Sequence, residues 1–178
     1  MNNYFVILAA GKGTRFDKNK AKQFFNYKNK QIIDHSIDKS IKSRLFRKVI
    51  VVTNNINQLK NNKYIKAIKV IKGGKERSDS SLNALKYLKK FKPHNVLIHD
   101  SARPNFSIKL LKNLINNLKK NKAVVPFIKP NDSIKYQIKG EVYNINKKDT
   151  FLTQTPQAFR FKELYNFASK EKSKVSDA

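Results

Sequence analysis

Cysteine and tryptophan are absent from this sequence, and glycine and proline are scarce at five each. Without cysteine there can be no disulfide and no thiolate metal site, which fits a reducing compartment. Repeats and low-complexity segments are lacking beyond a general lysine and asparagine bias. No apolar run approaches the ~20 residues that a membrane-spanning helix needs. The N-terminus enters a strand-like segment at once, with no charged leader, so a secretory signal is not expected and the expected location is the cytoplasm. Acidic residues are the other shortage: 12 Asp and Glu stand against 39 Lys and Arg, a formal net charge of +27. Such a balance raises nucleic acid or an anionic membrane as a partner. The lysines are spread over almost every segment, however, and Asn, Ile, Phe and Tyr are heavily used beside them. Compositional drift is the favoured cause, and neither nucleic acid nor membrane is expected as a partner. A field this positive still helps to capture anionic small substrates.

What is present centres on Leu8-Ala9-Ala10-Gly11-Lys12-Gly13-Thr14-Arg15-Phe16, with Lys22-Gln23 a little further on. The preceding Tyr4-Phe5-Val6-Ile7-Leu8 is an unbroken apolar run of strand length, as expected for a strand buried on both faces. Glycines after it allow a tight turn whose N–H groups can face an anion, and Arg15 and Lys22 add two positive charges beside it. A polyphosphate would fit there; an ordinary strand-to-loop turn with solvated basic residues is the plainer alternative. The dinucleotide pattern G-x-G-x-x-G fails because Phe16 stands at its third glycine, and the P-loop pattern fails because Val6 stands at its first.

The chain's 178 residues are expected to form one domain, 1–178, large enough for a real core. Ile33, Ile37 and Ile41 predict an amphipathic helix over Gln31–Ser43. Val49–Thr53 reads as a second strand and Ala67–Ile71 as a third, ending at Gly73-Gly74. Ser78 and Asp79 are expected to cap a helix with Leu82, Leu85 and Leu88 on one face. Val96–His99 is a fourth strand ending in Asp100. Ser107 is expected to cap a helix with Ile108, Leu111, Ile115 and Leu118 along one side, and Ala123–Phe127 is a fifth strand. This alternation predicts an α/β fold: an open, mostly parallel sheet with helices on both faces. The rhythm breaks at Ile128–Thr150, where Ser133–Ile138 and Glu141–Ile145 flank Lys139-Gly140 as a protruding β-hairpin arm, too small to be stable alone. Thr155-Pro156-Gln157 then leads to a last helix carrying Leu164, Phe167 and Ala168.

In a doubly wound sheet ligands bind beyond the carboxyl ends of the strands. Those ends carry Ala9-Ala10-Gly11, Gly73-Gly74 and His99-Asp100-Ser101-Ala102-Arg103-Pro104, so the unusual residues converge on one rim. Asp100 with Arg103 could also be a plain ion pair. No nucleophile pattern appears, His99 lacks an evident partner, and His35 and His94 read as incidental.

Six blocks together resemble the 2-C-methyl-D-erythritol 4-phosphate cytidylyltransferase family: Ala9 to Phe16, Lys22-Gln23, Gly73-Gly74-Lys75-Glu76-Arg77-Ser78-Asp79-Ser80, His99 to Pro104, Asp132-Ser133-Ile134-Lys135 and Gln154-Thr155-Pro156-Gln157. They follow that family's order from end to end of the chain. The resemblance implies a Rossmann-like sheet and transfer of CMP from CTP to the sugar-alcohol phosphate, with release of pyrophosphate. It implies that Ala9, Ala10, Gly11, Gly13, Gly74 and Ser80 hold the nucleotide, and that Arg15, Lys22 and Lys147 are catalytic cations. Asp100, Arg103, Ser133, Lys147, Thr155 and Ser176 would meet the acceptor. Ser133 and Lys147 would reach across from the arm, about 129–150, of a second subunit in a homodimer. It further implies Mg²⁺ held mainly by the CTP phosphates. Three positions depart from the family's pattern: Ala21 replaces a proline, Ser133 a threonine and Lys147 an arginine. The family continues past the block matched by Ser176-Asp177-Ala178, sometimes into a fused second enzyme, so the chain is expected to lack a C-terminal part. A cytidylyltransferase for another sugar-alcohol phosphate such as ribitol 5-phosphate, or a truncated CTP-binding protein without turnover, is the alternative.

Overall fold

The computed structural model describes residues 2–11, 13 and 20–170. Strand β1 (Asn3–Leu8) is buried along its whole length. A 3₁₀ turn at Lys22–Phe24 and a two-rung hairpin, β2 (Asn26–Tyr27) with β3 (Lys30–Gln31), lead into helix α1 (Ile32–Lys42). Strands β4 (Lys48–Val52) and β5 (Ile68–Ile71) precede helix α2 (Arg77–Lys89), and β6 (Asn95–Asp100) precedes α3 (Ile108–Asn117). The short strands β7 (Ala123–Val124) and β8 (Phe127–Ile128) come next. Then follow the arm strands β9 (Ile134–Ile138) and β10 (Glu141–Ile145), β11 (Leu152–Thr153), β12 (Gln157–Arg160) and helix α4 (Phe161–Lys170).

The central sheet has the order β5-β4-β1-β6-β12-β7. Strands β5, β4, β1 and β6 are mutually parallel, whereas β12 runs antiparallel to both β6 and β7. The chain lays β4 and then β5 on one side of β1 before returning to place β6 on the other. That reversal opens a crevice beyond the carboxyl ends of β1 and β6. Period-two alternation divides β1 between two cores. Phe5 and Ile7 pack with Ile33 and Ile37 of α1 and Leu111 and Ile115 of α3. Tyr4, Val6 and Leu8 pack with Leu85 and Leu88 of α2 and Phe161 and Ala168 of α4. Each such side chain contributes about 1.5–3 kcal/mol by leaving water. Helices therefore cover both faces of a mostly parallel α/β sheet, as the alternation predicts.

Polar anchoring of α1 is concentrated on Asp38, whose carboxylate meets Lys30 at 2.7 Å and Lys42 and Lys63 at 3.4 Å. Burial pushes this carboxyl up, but the hydrogen bonds and charges of Lys30 and Lys42 outweigh it and hold the group down at about 2.

Three local expectations change. Helix α2 is capped by Glu76, in a reciprocal box with Asp79, so Ser78 and Asp79 lie inside the first turn. The fifth strand is split: Ala123–Val124 joins the main sheet while Phe127–Ile128 pairs with Leu152–Thr153. Pro126 stands between the halves and has no N–H to continue a ladder. Finally, Gln157–Arg160 is a strand and not a simple lead into the last helix. The arm matches its prediction, with Tyr136 opposite Tyr143 and Ile134 opposite Ile145. Its turn uses positive φ at Lys139 (49°) and Gly140 (90°), the backbone that two-residue hairpin loops require.

Candidate active site

The chain leaves β1 beside β4 and β6. Ala9 N–H donates to Val52 O at 2.8 Å, and Ser101 N–H donates to Leu8 O at 3.1 Å. The turn that follows is held from behind by Gln23, whose buried side-chain amide donates to Ala9 O (2.8 Å) and Gly11 O (3.0 Å). With those carbonyls tied back, the turn's opposite surface faces the crevice. Gly13 has φ +66°, and a Cβ there would approach Lys22 N at 3.1 Å, so both conformation and space favour glycine.

The second wall begins at Gly73-Gly74. A Cβ on Gly73 would lie 2.2 Å from the Ala10 Cβ, and one on Gly74 would lie 2.0 Å from the Asp79 Cβ. Only bare backbone lets the β5–α2 connection lie so close to the glycine turn. Gly74 N–H donates to Ser80 Oγ at 3.0 Å and Glu76 N–H to Asp79 Oδ2 at 3.1 Å, which fixes the N-terminus of α2 toward the crevice. Such a terminus favours anions.

Asp100 ends β6 and gathers two arginines. Its Oδ1 accepts from Arg77 Nε at 3.0 Å, and its Oδ2 lies 3.4 Å from Arg103 Nε. Arg103 in turn donates from Nη1 to Gln154 Oε1 at 3.0 Å. Behind this group, His99 is fully buried between Thr155 (Nδ1 to Oγ1, 2.9 Å) and Ser36 (Nε2 to Oγ, 3.2 Å). Burial pushes its imidazole down to about 3, with the Asp100 carboxylate opposing only in part, so the ring is neutral at physiological pH.

These segments line one cleft of about 370 Å³, shared by Ala10, Gly11, Gly13, Lys22, Gly74, Ser80 and Asp100 among the expected residues. Cations Lys22, Lys75 and Arg77 and carboxylates Glu76 and Asp100 face it. No imidazole is among its described lining residues, so the walls are suited to orienting anions and stabilising negative charge. Among the described residues, no group of three or more His, Asp or Glu could hold a metal ion.

Other expected residues stand apart. Ala9 is buried beneath the turn, whereas Ser80 does line the cleft, with its hydroxyl accepting from Gly74 N–H. Thr155 is 9% exposed, and its hydroxyl faces inward to His99 and the N–H of Asp100 (3.3 Å). Arg103 reaches the rim through Asp100. Ser133 and Lys147 lie exposed at the arm's base, away from the cleft lining, where Lys147 Nζ donates to Asn131 O. Arg15 and Ser176 lie outside the described residues. The roles of Gln23 and Arg77 were missed by sequence reasoning, although both lie in quoted blocks. An amide one residue after Lys22, and an arginine within a turn of Gly74, were the available signals. His99 does have partners, contrary to expectation, because Ser36 and Thr155 approach it from 63 and 56 residues away.

A glycine turn after the first strand, facing a helix N-terminus at the point where strand order reverses, defines a Rossmann-like α/β protein with a site for a phosphate-bearing nucleotide. The 2-C-methyl-D-erythritol 4-phosphate cytidylyltransferase family matches residues 4–178. A bifunctional enzyme IspD/IspF of Pelagibacter ubique is 43% identical over 178 residues, covering 99% of this chain and 48% of that protein. The 2-C-methyl-D-erythritol 4-phosphate cytidylyltransferase of Caldicellulosiruptor bescii is 36% identical, over 93% of this chain and 75% of that one. The crystal structure of 4-diphosphocytidyl-2C-methyl-D-erythritol synthase from Anaerococcus prevotii superposes with a TM-score of 0.85 at 28% identity, covering 99% of this chain and 80% of that one. The chain belongs to the 2-C-methyl-D-erythritol 4-phosphate cytidylyltransferase family, and it spans about half the length of its bifunctional relative.

Proposed function

We propose that this chain transfers CMP from CTP to 2-C-methyl-D-erythritol 4-phosphate. The observation that carries the reading is the single cleft in which the glycine turn, the Gly74–Ser80 helix start, Lys22 and the arginine-flanked Asp100 meet. A phosphate oxygen of the acceptor attacks the α-phosphorus of CTP in line. The bond from that phosphorus to its bridging oxygen breaks, and pyrophosphate leaves with the electron pair. The acceptor phosphate is already ionised near neutral pH, so no general base is needed.

The protein's task is to bring two polyanions together. The glycine-turn backbone and the α2 N-terminus offer donors to the nucleotide phosphates. Lys22 and Arg15 supply positive charge where negative charge develops at phosphorus. Arg77 and Arg103, steadied by Asp100, give the acceptor side its positive character. Mg²⁺ carried by the triphosphate would screen charge and order the leaving group. Lys147 and Ser133 serve the acceptor from a partner's arm in a homodimer. That assembly is supported by the exposed Tyr136, Ile138 and Tyr143, which share one face of a hairpin too small to be stable alone. The cytoplasm is the proposed site of action.

The test is pyrophosphate release from CTP and Mg²⁺, with methylerythritol phosphate and ribitol 5-phosphate compared as acceptors. Turnover with the former alone, falling by about 10²–10³ in Lys22→Ala, is expected. Preference for ribitol 5-phosphate would move the acceptor assignment to another sugar alcohol. CTP binding without turnover by the folded chain would reduce the reading to a nucleotide-binding protein.

A further inference from the structure

Asp100 is held twice. Its carboxylate is held in the cleft by Arg77 and Arg103, and its backbone N–H is held from behind by Thr155 Oγ1. The second hold passes into the core. Thr155 Oγ1 meets His99 Nδ1 at 2.9 Å, and His99 Nε2 meets Ser36 Oγ at 3.2 Å on α1. His99 and Ser36 are both fully buried, so water has no direct access to the imidazole or the Ser36 end of this string. Phe5 and Phe106 flank the imidazole, with ring centroids 5.7 and 4.6 Å away. One turn along α1, Lys39 donates to Pro104 O at 2.9 Å and lies over the Phe106 ring at 4.8 Å. Helix α1 therefore grips the end of β6 through Ser36 and the segment after it through Lys39.

We propose that His99, clamped between Ser36 and Thr155, is a positioning residue that sets the height and orientation of Asp100 and so of the paired arginines on the acceptor side of the cleft. A neutral imidazole carries one N–H and one lone pair. Thr155 Oγ1 accepts the N–H of Asp100, which leaves its own proton for Nδ1, and Nε2–H then donates to Ser36. Both ring nitrogens are satisfied in this arrangement. Losing one hydroxyl leaves a buried nitrogen unsatisfied, at a cost large enough to shift the strand end. The charged groups around the ring are Asp100, Arg103 and Lys39.

This inference rests on the cytidylyl-transfer reading, and its tests separate the two. The informative variant is Ser36→Ala, because Ser36 lies behind the histidine and cannot touch a substrate. The KM for the acceptor is expected to rise about tenfold in Ser36→Ala, His99→Gln and Thr155→Val, with the KM for CTP within about twofold and Thr155→Ser restoring the acceptor value. A lower melting temperature with both KM values unchanged would overturn the proposal, as would equal loss for both substrates. A second measurement needs no turnover. Imidazole ¹⁵N shifts are tractable with three histidines in the chain. They should report His99 as one fixed neutral tautomer at pH 5, redistributed in Ser36→Ala. A ring that averages both tautomers, or gains a proton near pH 6, would overturn the proposal. An unaltered protein that shows this fixed tautomer but transfers no CMP would refute the catalytic reading alone.

Discussion

Burying His99 sets a specific response to acid. Its pKa falls from 6.5 in an exposed chain to about 3 here, so between those values the unfolded chain binds a proton that the folded protein does not. Stability is then expected to fall as pH drops below about 6.5, by roughly 1.4 kcal/mol per pH unit from this residue. Urea midpoints read from pH 7 to pH 4 should show that slope, and His99→Gln should flatten it. Gly74 presents a steric case at the same scale. Its missing Cβ is all that keeps it from the Asp79 Cβ, so Gly74→Ala must displace either the glycine pair or the first turn of α2. CTP affinity measured by calorimetry should weaken at least tenfold, with a lower melting temperature as the start of α2 shifts. The glycine turn and Asp100 were legible from sequence because each is a short block at a strand's end, and Lys22 because it follows the glycine turn closely in the chain. The partners of His99 were not, since hydroxyls so far apart in the chain share no pattern until the sheet is assembled.

Individual elements were readable to differing degrees. Strands β1, β4 and β6 carry unbroken apolar runs and α1 a four-residue isoleucine repeat, and both patterns survive folding because burial enforces them. The start of α2 was misplaced because serine and aspartate are the usual capping residues, while here Glu76 serves and Asp79 closes the box from within. Asp79→Ala is expected to cost about 1 kcal/mol. On a chain of this size that is a melting shift of about 2–4 °C in scanning calorimetry. Strand β12 escaped notice because Gln157–Arg160 has no alternation: its first two residues are buried and the rest half-buried, between β6 and β7. The arm was legible in full. If the proposed homodimer forms through the arm, replacing Tyr136 and Tyr143 with glutamate should lower the mass seen by light scattering to that of a monomer, with acceptor KM rising more than CTP KM.

Across the whole molecule, charge dominates. With +27 spread over the surface, capture of CTP should depend on ionic strength. Its KM is expected to rise roughly severalfold between about 0.05 and 0.5 M salt. Acid has a second whole-molecule effect through Asp38. The depressed pKa means that its stabilisation is present above about pH 4 and is lost as pH falls through about 2, on the order of 2 kcal/mol in total. In Asp38→Asn that low-pH step should be missing from chemical denaturation curves, while the step due to His99 persists.

The same scarcity of acids bears on how this sequence can change. Two of its twelve carboxylates, Asp38 and Asp100, between them hold Lys30, Lys42, Lys63, Arg77 and Arg103. Most surface positions can exchange asparagine for lysine over generations at little cost. At these two hubs a single-base change from aspartate to asparagine strands several like charges at once. Tolerance to mutation is therefore uneven, and a lineage drifting toward lysine would retain these aspartates after most other acids had gone.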